Sequence, residues 1–578
     1  MGGEKMNRAI FLVMLISIII AGSIMLYIFH VETQEREELK NKFTEFEKKY
    51  EEKKALGYDV TDAEFFAKKA RKAFEANKYE EAEKLLEEAF KVLEKAEITP
   101  IPSEKWLYDG PIYETHPYYY PRHSFKEITE QIPQLKDLGI RTIYLMPIWK
   151  YRGKHPLAIY SIYDYYKINP DFGTSNDLKE LVNTAHRYDM KVVLDFVTGY
   201  TVPGSVVYNK SWTIRIKLDE LQKKAQKLGW KLEYNIYEGQ PVVYYGCKWT
   251  KPRKCEVFGR IVGDEVILHH YPRVDWGPAI DRTNPELIEY LTKVAVYYVK
   301  EYDIDGFRLD APQNNWNPKI IYGDHSILEL LKSIKKEIKI IKPSAVLISE
   351  SPYLESLKAG EEIPDPVLDE VCEASYSYYF YSNLIKGKIK TSKDLIETIF
   401  NEKIWYNRTR IRFLETHDTE RINKIASQLK KPYIVLISTI PGVPMIQAGE
   451  EIGAKNSYSE NPKVNWNGSD YKLKNFIRKI FQIRNKHNAL KYGSIEKLKS
   501  GSNILLYLRA YRDEKVIIVI NPLDKETEQT IDLSDLFKKH VTLRDVLNNK
   551  EFVIPDPSNF RISIPAYSSM IWIAEDCR

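Results

Sequence analysis

Four apolar runs in this chain each end on an acidic residue, and helical segments separate the runs. The closing acids are Asp195, Asp310, Glu350 and Asp418. Short continuous apolar runs are typical of strands that are buried on both faces of a parallel sheet. In a barrel of parallel strands the carboxyl ends meet at one rim, where that fold places its catalytic residues. The four runs therefore predict an α/β fold, a (β/α)8 TIM barrel, with carboxylates gathered at one rim.

The run that ends at Asp310 also carries an arginine two residues earlier. Arg308 and Asp310 would point to the same face of a strand, because side chains alternate along it. A neighbouring guanidinium favours the ionised form of a carboxylate, so we expect Arg308 to keep Asp310 ionised. One such motif also occurs as surface acids at strand ends. The four motifs in order favour a catalytic site.

These motifs resemble glycoside hydrolase family 13, the α-amylase family. Residues 164–174, 190–195 and 441–451 also match the family pattern, and the resemblance covers roughly residues 105–575. It implies a barrel with an inserted domain B and a C-terminal β-sandwich domain. It also implies an α-glucan or maltooligosaccharide substrate.

The resemblance assigns a role to each matching residue. Asp310 takes the place of the nucleophile, Glu350 that of the general acid/base, and Asp418 that of the carboxylate that stabilises the transition state. The positions that match or replace substrate-binding residues are Arg308, His417, Tyr160, Tyr200 and Asp195. Tyr160 matches a tyrosine that stacks under the sugar, and plain core packing is the alternative for it.

Retaining hydrolysis of a glycosidic bond requires this arrangement of acids. One carboxylate attacks the sugar, while a second carboxyl about 5 Å away protonates the departing oxygen. The second carboxyl must hold its proton near neutral pH, so its pKa must be raised. We expect the charges of Asp310 and Asp418 to raise the pKa of Glu350 by repulsion.

The chain departs from the family pattern at several positions. The first motif usually reads Asp-x-Val-x-Asn-His, but here Gly199 replaces the Asn and Tyr200 the His. The Asn often binds calcium, and glycine has no side chain to do so. We therefore expect no cofactor and no metal site, although ligands elsewhere in domain B could hold calcium. Thr416 replaces another Asn, and residues 311–314 lack the usual Lys-His pair.

The N-terminus carries an uncharged apolar run at residues 9–29. That length is sufficient for a helix to cross the hydrocarbon core of a membrane. Lys5 and Arg8 precede it and an acidic segment follows, so the positive-inside rule places the rest of the chain outside the cell. A signal peptide cleaved near residues 21–23 is the alternative. The sequence predicts a signal-anchor at residues 1–30 and a single-pass, extracellular enzyme.

Residues 31–98 form a charged segment rich in Ala, Glu and Lys. Glu and Lys recur at helical spacing, which indicates exposed helices. Residues 70–82 resemble the turn of a helical hairpin, with the break at Asn77. The segment is either a spacer or a partner-binding module similar to one tetratricopeptide unit. Residues 99–102 read as a proline-stiffened linker.

The remaining chain divides into a barrel at residues 99–488, with domain B at 200–280, and a β domain at 489–578. Helices are predicted at residues 124–138, 174–188, 326–341, 391–402 and 420–430. Strands are predicted at residues 141–148, 345–350, 411–416, 503–508, 516–520 and 560–564.

Composition narrows the function further. The net charge of +5 is small for 578 residues and predicts no nucleic-acid partner. The richness in Lys, Glu and Ile is typical of thermophile proteins. Cys247 and Cys255 could form a disulfide, bind zinc or remain free thiols. The tryptophans that could serve as either sugar platforms or core residues are Trp149, Trp276 and Trp316.

The sequence thus predicts a retaining α-glucan hydrolase that acts outside the cell on α-1,4 glucosidic bonds, with α-1,6 bonds as an alternative specificity. A 4-α-glucanotransferase is one alternative. A non-catalytic, amylase-like membrane subunit is another, but such proteins lose part of the acid trio that is complete here.

Overall fold

The structure is a computed structural model that describes most of the chain. The described residues are 34, 36–50, 53, 60–95, 104–153, 156–237, 239–245, 257–269, 277–312, 327–350, 368, 371–402, 408–468, 470–500 and 504–574. The chain divides into two compact units, Met1–Pro100 and Ile101–Arg578.

The first unit is helical. Residues 36–50 form one helix, and Thr61–Glu75 and Tyr79–Lys95 form an antiparallel pair with its own apolar core. The break between the paired helices falls at Asn77, as the sequence predicts, and its φ of 57° is a left-handed conformation that asparagine tolerates. Alanines such as Ala70 and Ala82 are buried where the helices pack closely.

No helix in the described part of the chain is long and apolar enough to cross a membrane. The predicted anchor at residues 9–29 lies outside the described residues, as do the linker at 99–102, Cys247, Cys255, Trp276 and Trp316. The Cys372 side chain is buried.

The second unit contains a closed barrel of eight parallel strands. We number them β1 Ile112–Thr115, β2 Thr142–Leu145, β3 Lys191–Val197, β4 Gly306–Asp310, β5 Val346–Ser349, β6 Ala374–Tyr376, β7 Thr409–Arg412 and β8 Val443–Gln447. Each strand pairs with its neighbours in the sequence of barrel strands, and β8 closes on β1. The predicted (β/α)8 barrel is confirmed.

Helices cover the barrel at Phe125–Leu138, Ser175–Arg187, Pro285–Tyr302, Leu328–Ile341, Tyr378–Ile385, Ser392–Asn401, Lys430–Thr439 and Tyr471–Lys486. Their starts follow the sequence signals. Ser124 and Thr174 form capping boxes with Glu127 and Asp177, which satisfy backbone N–H groups at the helix start. Shorter helical segments lie at Lys105–Asp109, Pro117–Tyr119, Pro156–Tyr160, Pro170–Phe172, Glu450–Ile452, Trp466–Gly468, Asn488–Tyr492 and Pro557–Asn559.

The helix predicted at residues 420–430 is wrong. The chain there forms a short helix, Ile422–Ile425, and a 3-10 turn, Ser427–Leu429, before the longer helix begins at Lys430. Ala426 has an extended φ of −154°, which separates the two short segments. The long helix is buried almost all round, so it lacks the amphipathic period that sequence reasoning looks for.

Trp149 belongs to the core. Its side chain is fully buried and packs against Tyr165, Phe196 and Tyr298, with ring centroids 5.7, 5.9 and 5.5 Å away. It begins a short strand, Trp149–Tyr151, that pairs with Ile162–Ile168. Of its two predicted roles, core packing is confirmed.

An inserted sheet follows β3. Its five antiparallel strands are Arg215–Lys217, Glu233–Tyr237, Gln240–Tyr245, Val257–Val262 and Glu265–Leu268, and the helix Leu218–Lys227 lies between the first two. The ends of the insertion meet where Tyr200 pairs with Ala279. Gly277 permits this approach, because a Cβ there would lie 2.2 Å from the carbonyl oxygen of Thr201.

The C-terminal domain has two β layers. One sheet has six strands, Ser494–Lys497, Leu505–Tyr511, Glu514–Ile520, Ser569–Ala574, Val541–Asp545 and Lys550–Ile554. The other has three strands, Lys499–Ser500, Thr527–Asp532 and Phe560–Ile564. Trp572, Ile531 and Ile564 share one buried apolar cluster between the layers, so the predicted terminal β domain is confirmed.

Gly306 starts β4 at a position that excludes a side chain. Its φ is +156°, and a Cβ would lie 2.2 Å from the carbonyl oxygen of Val346 on β5. We expect Gly306→Ala to destabilise the fold by ~3 kcal/mol through overpacking and backbone strain. Thermal and urea unfolding would measure this. Gly229→Ala is the control, since Gly229 also has positive φ but no atom within 4 Å of a Cβ. Equal losses for both variants would contradict the steric explanation.

Candidate active site

The predicted acids meet at the carboxyl rim of the barrel. Asp195 lies on β3 and Asp310 ends β4, while Glu350 directly follows β5 and Asp418 lies in the segment after β7. Their convergence follows from the parallel register, which brings the carboxyl ends of adjacent strands together. The structure thus brings together all four predicted acids.

The Arg308 side chain links three of these acids. Its Nη1 lies 3.0 Å from both carboxylate oxygens of Asp195 and 3.0 Å from Asp310 Oδ1. Its Nη2 forms an ion pair with Glu350 Oε2 at 2.9 Å. The guanidinium is about 1% exposed, and the ring of Tyr376 lies 5.3 Å from it. A buried arginine at this place offsets the repulsion between the carboxylates.

Asp195 lies beneath the site and has no exposed surface. Besides Arg308, it accepts hydrogen bonds from the hydroxyls of Tyr144 and Tyr160, the latter at 2.9 Å. With both oxygens occupied, this residue orients the groups above it. The family resemblance predicts that Asp195 binds substrate. In the structure, its hydrogen bonds are with Arg308, Tyr144 and Tyr160.

Asp310 carries one engaged and one unengaged oxygen. Oδ1 accepts from Arg308, whereas Oδ2 is buried without a hydrogen-bond partner among the described residues. Burial raises the pKa of Asp310 well above its usual range, and the charges of Glu350, Asp195 and Asp418 add to the rise. Arg308 lowers the pKa of Asp310, but burial outweighs the guanidinium, so the expectation that Arg308 keeps Asp310 ionised is contradicted by the net direction of the shift.

Glu350 is held by a backbone amide and a phenol. The Ala311 N–H donates to Oε2 at 2.8 Å, and the Tyr378 hydroxyl donates to Oε1 at 3.3 Å. Burial raises the pKa of Glu350, and Asp418 contributes to the rise while Arg308 opposes it. The direction is the one that a general acid requires near neutral pH.

His417 is enclosed by hydrogen-bond acceptors. Its Nδ1 lies 2.5 Å from Glu114 Oε1, and its Nε2 lies 2.7 Å from the Tyr160 hydroxyl and 3.1 Å from Asp418 Oδ2. Burial lowers the pKa of His417, but Asp418 and Glu114 together have a larger effect in the opposite direction. The net pKa of His417 is therefore well above its usual range. The imidazolium therefore contributes stability that is complete below pH ~6.5 and is lost as pH rises through the raised pKa.

The Tyr160 ring lies nearly parallel to the His417 ring, at 5.4 Å and 14°. Its hydroxyl donates to Asp195 and accepts from His417, so it links the acids on β3 to the segment after β7. The side chain is about 5% exposed. Asp418 is more open, with about 35% of its side chain exposed.

Several site residues escaped sequence reasoning. Glu114 on β1 has no motif around it, and its role appears only when β1 closes against β8. Tyr144, Tyr376 and Tyr378 contact Arg308 or Glu350. Tyr144 lies in an ordinary apolar run and the other two in a tyrosine-rich run, and neither pattern reveals which side chains face the acids. Strands that end on an acid could be recognised in the sequence, whereas the contacts of these tyrosines could not.

Tyr200 lies close to the carboxylates. Its side chain is about 2% exposed, and its pKa is raised by burial first and by the charge of Asp310 next. The neighbouring Gly199 accepts a backbone hydrogen bond from Ile280 at 3.2 Å. In the part of the chain that the structure describes, no group of three or more His, Cys, Asp or Glu side chains could hold a metal ion.

Comparison with known proteins identifies the family. Residues 123–489 match the domain described as "Alpha amylase, catalytic domain". The chain belongs to the α-amylase family. Residues 495–571 also match the "Maltogenic Amylase, C-terminal domain", in agreement with the two-layered β domain. The resemblance based on the sequence motifs is confirmed at the level of the family.

Among related proteins, a cyclomaltodextrinase from Thermoanaerobacter pseudethanolicus is 28% identical over 442 residues, which cover 73% of this chain and 67% of that protein. A maltogenic alpha-amylase from Bacillus acidopullulyticus is 24% identical over 446 residues, or 74% and 67% of the two chains. The crystal structure of a noncanonic maltogenic alpha-amylase, AmyB, from Thermotoga neapolitana has the same fold. Its TM-score is 0.61 at 23% identity, over 81% of this chain and 99% of that one.

This α-amylase family member is a glycosidase, and its relatives support activity on α-glucans. The acid trio, the arginine and the histidine lie at the rim where the barrel places its catalytic groups.

The Tyr200 hydroxyl should contribute to catalysis where the family pattern has a histidine. It can donate one hydrogen bond to the sugar, and it carries no positive charge. We expect Tyr200→Phe to lower kcat/KM by roughly 1–3 kcal/mol equivalent, if the bond strengthens in the transition state. Steady-state kinetics measure this, with Tyr165→Phe as control, because the Tyr165 hydroxyl donates to the Val197 carbonyl instead. Unchanged kinetics would mean that Tyr200 serves packing alone.

Proposed function

We propose that this protein is a retaining α-glucan hydrolase of the α-amylase type. The observation that carries the proposal is the contact of one guanidinium, that of Arg308, with Asp195, Asp310 and Glu350. Carboxylates that contact one planar guanidinium lie close together. A retaining glycosidase requires such closeness between its nucleophile, here Asp310, and its general acid, here Glu350.

In the first step, Asp310 Oδ2 attacks the anomeric carbon of the sugar. This oxygen is the one without a protein partner in the described structure. Glu350 transfers its proton to the departing glycosidic oxygen as that bond breaks, and a glycosyl ester on Asp310 forms. Attack requires an ionised Asp310, and the neighbouring guanidinium of Arg308 is the group that lowers the pKa of Asp310 against the effect of burial.

In the second step, Glu350 removes a proton from the incoming acceptor, which then attacks the same carbon and releases Asp310. Two inversions leave the configuration unchanged. Water as acceptor gives hydrolysis, and a sugar hydroxyl gives transglycosylation. Asp418 would bind the sugar hydroxyls through its exposed carboxylate while the positive charge develops on the ring.

The substrate class rests on the relatives. Their names, cyclomaltodextrinase and maltogenic alpha-amylase, favour maltooligosaccharides and their cyclic forms, joined by α-1,4 bonds. The proposed chemistry uses side chains alone and requires no metal, since its charges are supplied by Arg308, His417 and the acids.

We also propose that residues 9–29 anchor the enzyme in the cell membrane with its barrel outside. The support is the uncharged length of this segment and the placement of Lys5 and Arg8 before it. An extracellular site would give the enzyme access to glucans too large to enter the cell.

Replacement of the nucleophile tests the mechanism. We expect Asp310→Asn to lower turnover by more than a thousandfold, because the amide cannot attack, while the fold persists. The purified full chain should release short maltooligosaccharides from maltoheptaose and cyclodextrin, with the α-anomer formed first. Asp418→Asn makes the same replacement of a carboxylate by an amide at another acid of this rim. Circular dichroism verifies that both variants fold.

Four outcomes separate the alternatives. Turnover of Asp310→Asn within about tenfold of wild type would contradict the nucleophile assignment. Longer products than the starting maltoheptaose would indicate a glucanotransferase. Products from pullulan that require cleavage of its α-1,6 bonds would extend the specificity, and no products from any of the three would favour the non-catalytic alternative.

The anchor has its own test. Protease added to intact cells that express the protein should release the catalytic domain by cleavage near residues 99–102, because a linker is more accessible than a packed barrel. Immunoblots of medium and membranes measure the release. Deletion of residues 1–30 should abolish retention in the membrane. Digestion that occurs only after lysis would contradict the outward orientation.

A further inference from the structure

Glu114 is a buried carboxylate outside the acid trio. It lies in the middle of β1, where its backbone carbonyl accepts from Ala448 on the strand end of β8 at 2.9 Å. Its side chain has no exposed surface. Burial of an ionised carboxylate costs several kcal/mol unless a cation or hydrogen-bond donors compensate.

The compensation comes from one residue. Glu114 Oε1 lies 2.5 Å from His417 Nδ1 and also accepts from the His417 backbone N–H at 3.2 Å. In the part of the chain that the structure describes, His417 is the one cationic group that forms an ion pair with Glu114. The other oxygen, Oε2, is buried without a partner among the described residues. With a neutral His417, Glu114 would be a buried charge without a counter-ion.

We propose that Glu114 is a positioning residue that holds His417 as an imidazolium, with Nδ1 donating to Glu114 and Nε2 directed at the cleavage subsite. The two contacts to Glu114, one from the ring and one from the backbone, fix the ring plane. Nε2 then always carries a hydrogen, which it donates to Tyr160 and Asp418. A bound sugar hydroxyl can take over that hydrogen bond.

The other groups near His417 do not replace Glu114. The polar or titratable side chains that face the ring or influence its charge are Asp418, Tyr160, Tyr458, His116 and Glu350. Of these, Asp418 is partly exposed and takes part in the reaction. His116 is buried and neutral, because burial lowers its pKa to about 3. Glu114 is therefore the carboxylate that remains fixed while substrate displaces the contacts of Nε2.

This inference rests on the proposed function for the contact between His417 and sugar, but the charge of His417 can be tested without catalysis. In Glu114→Gln the amide oxygen can still accept both hydrogen bonds, and only the negative charge is lost. We expect the pKa of His417 to fall by about 1–3 units. NMR titration of the full chain labelled at histidine carbons measures it, with His417→Asn used to assign the signal.

The pH profile gives a second measurement. The alkaline limb of kcat/KM should move to lower pH in Glu114→Gln, because the imidazolium is lost sooner as pH rises. The imidazolium also lowers the pKa of Glu350, so its loss would raise that pKa and move the alkaline limb to higher pH. A shift of the limb to lower pH therefore reports the titration of His417 and not that of Glu350. A purely structural role would instead lower kcat/KM by the same factor at every pH.

Glu451→Gln is the matched control. Glu451 is also a buried glutamate near β1, but it accepts from the Tyr113 hydroxyl at 2.9 Å and from the Gly449 N–H at 3.0 Å. Its replacement should leave the His417 titration unchanged. An unshifted His417 signal in folded Glu114→Gln would overturn the proposal. If that variant does not fold, a wild-type His417 midpoint near the ordinary value of ~6.5 would overturn it, and a midpoint well above would support it.

Discussion

The catalytic rim depends on one buried cation, Arg308. Its guanidinium contacts Asp195, Asp310 and Glu350, which come from three adjacent strands, and it has almost no contact with solvent. Without it, three carboxylates would face one another in a medium that screens charge poorly. The closure of the barrel and the burial of the acids are therefore compatible only because the arginine lies between them. Truncation of Arg308 would leave those acids buried without their counter-ion, which is costly in a protein interior.

A second cation balances the opposite side of the site. His417 lies between Glu114 and Asp418, and the Tyr160 hydroxyl connects it to Asp195. The two cations thus belong to one hydrogen-bonded network that spans the rim from β1 to β7. Within this network each acid has a different environment: Asp195 is saturated with donors, Asp418 is partly exposed, and Glu350 is buried with a raised pKa. Such differences allow similar carboxyl groups to perform different chemistry at one pH.

The sequence predicted the barrel and the acids because both depend on local patterns. Apolar runs that end on an acid identify β3, β4 and β5, and the helix predicted at residues 124–138 is observed at Phe125–Leu138. It did not predict Glu114, which contacts His417 although the two residues are 303 positions apart in the chain. It also placed one helix wrongly after β7, because a helix that is buried all round has no polar face to reveal its period.

The departure at Tyr200 places a neutral side chain beside the acids of this network. A histidine at position 200 would bring another titratable ring to a rim that already holds His417 and Arg308, whereas tyrosine adds a neutral donor beside Asp310. Arg308 and His417 supply the positive charge that pairs with the acids of the described rim. Glu114 stabilises the protonated form of His417. Without that proton, Arg308 alone would balance the negative charge of the acids.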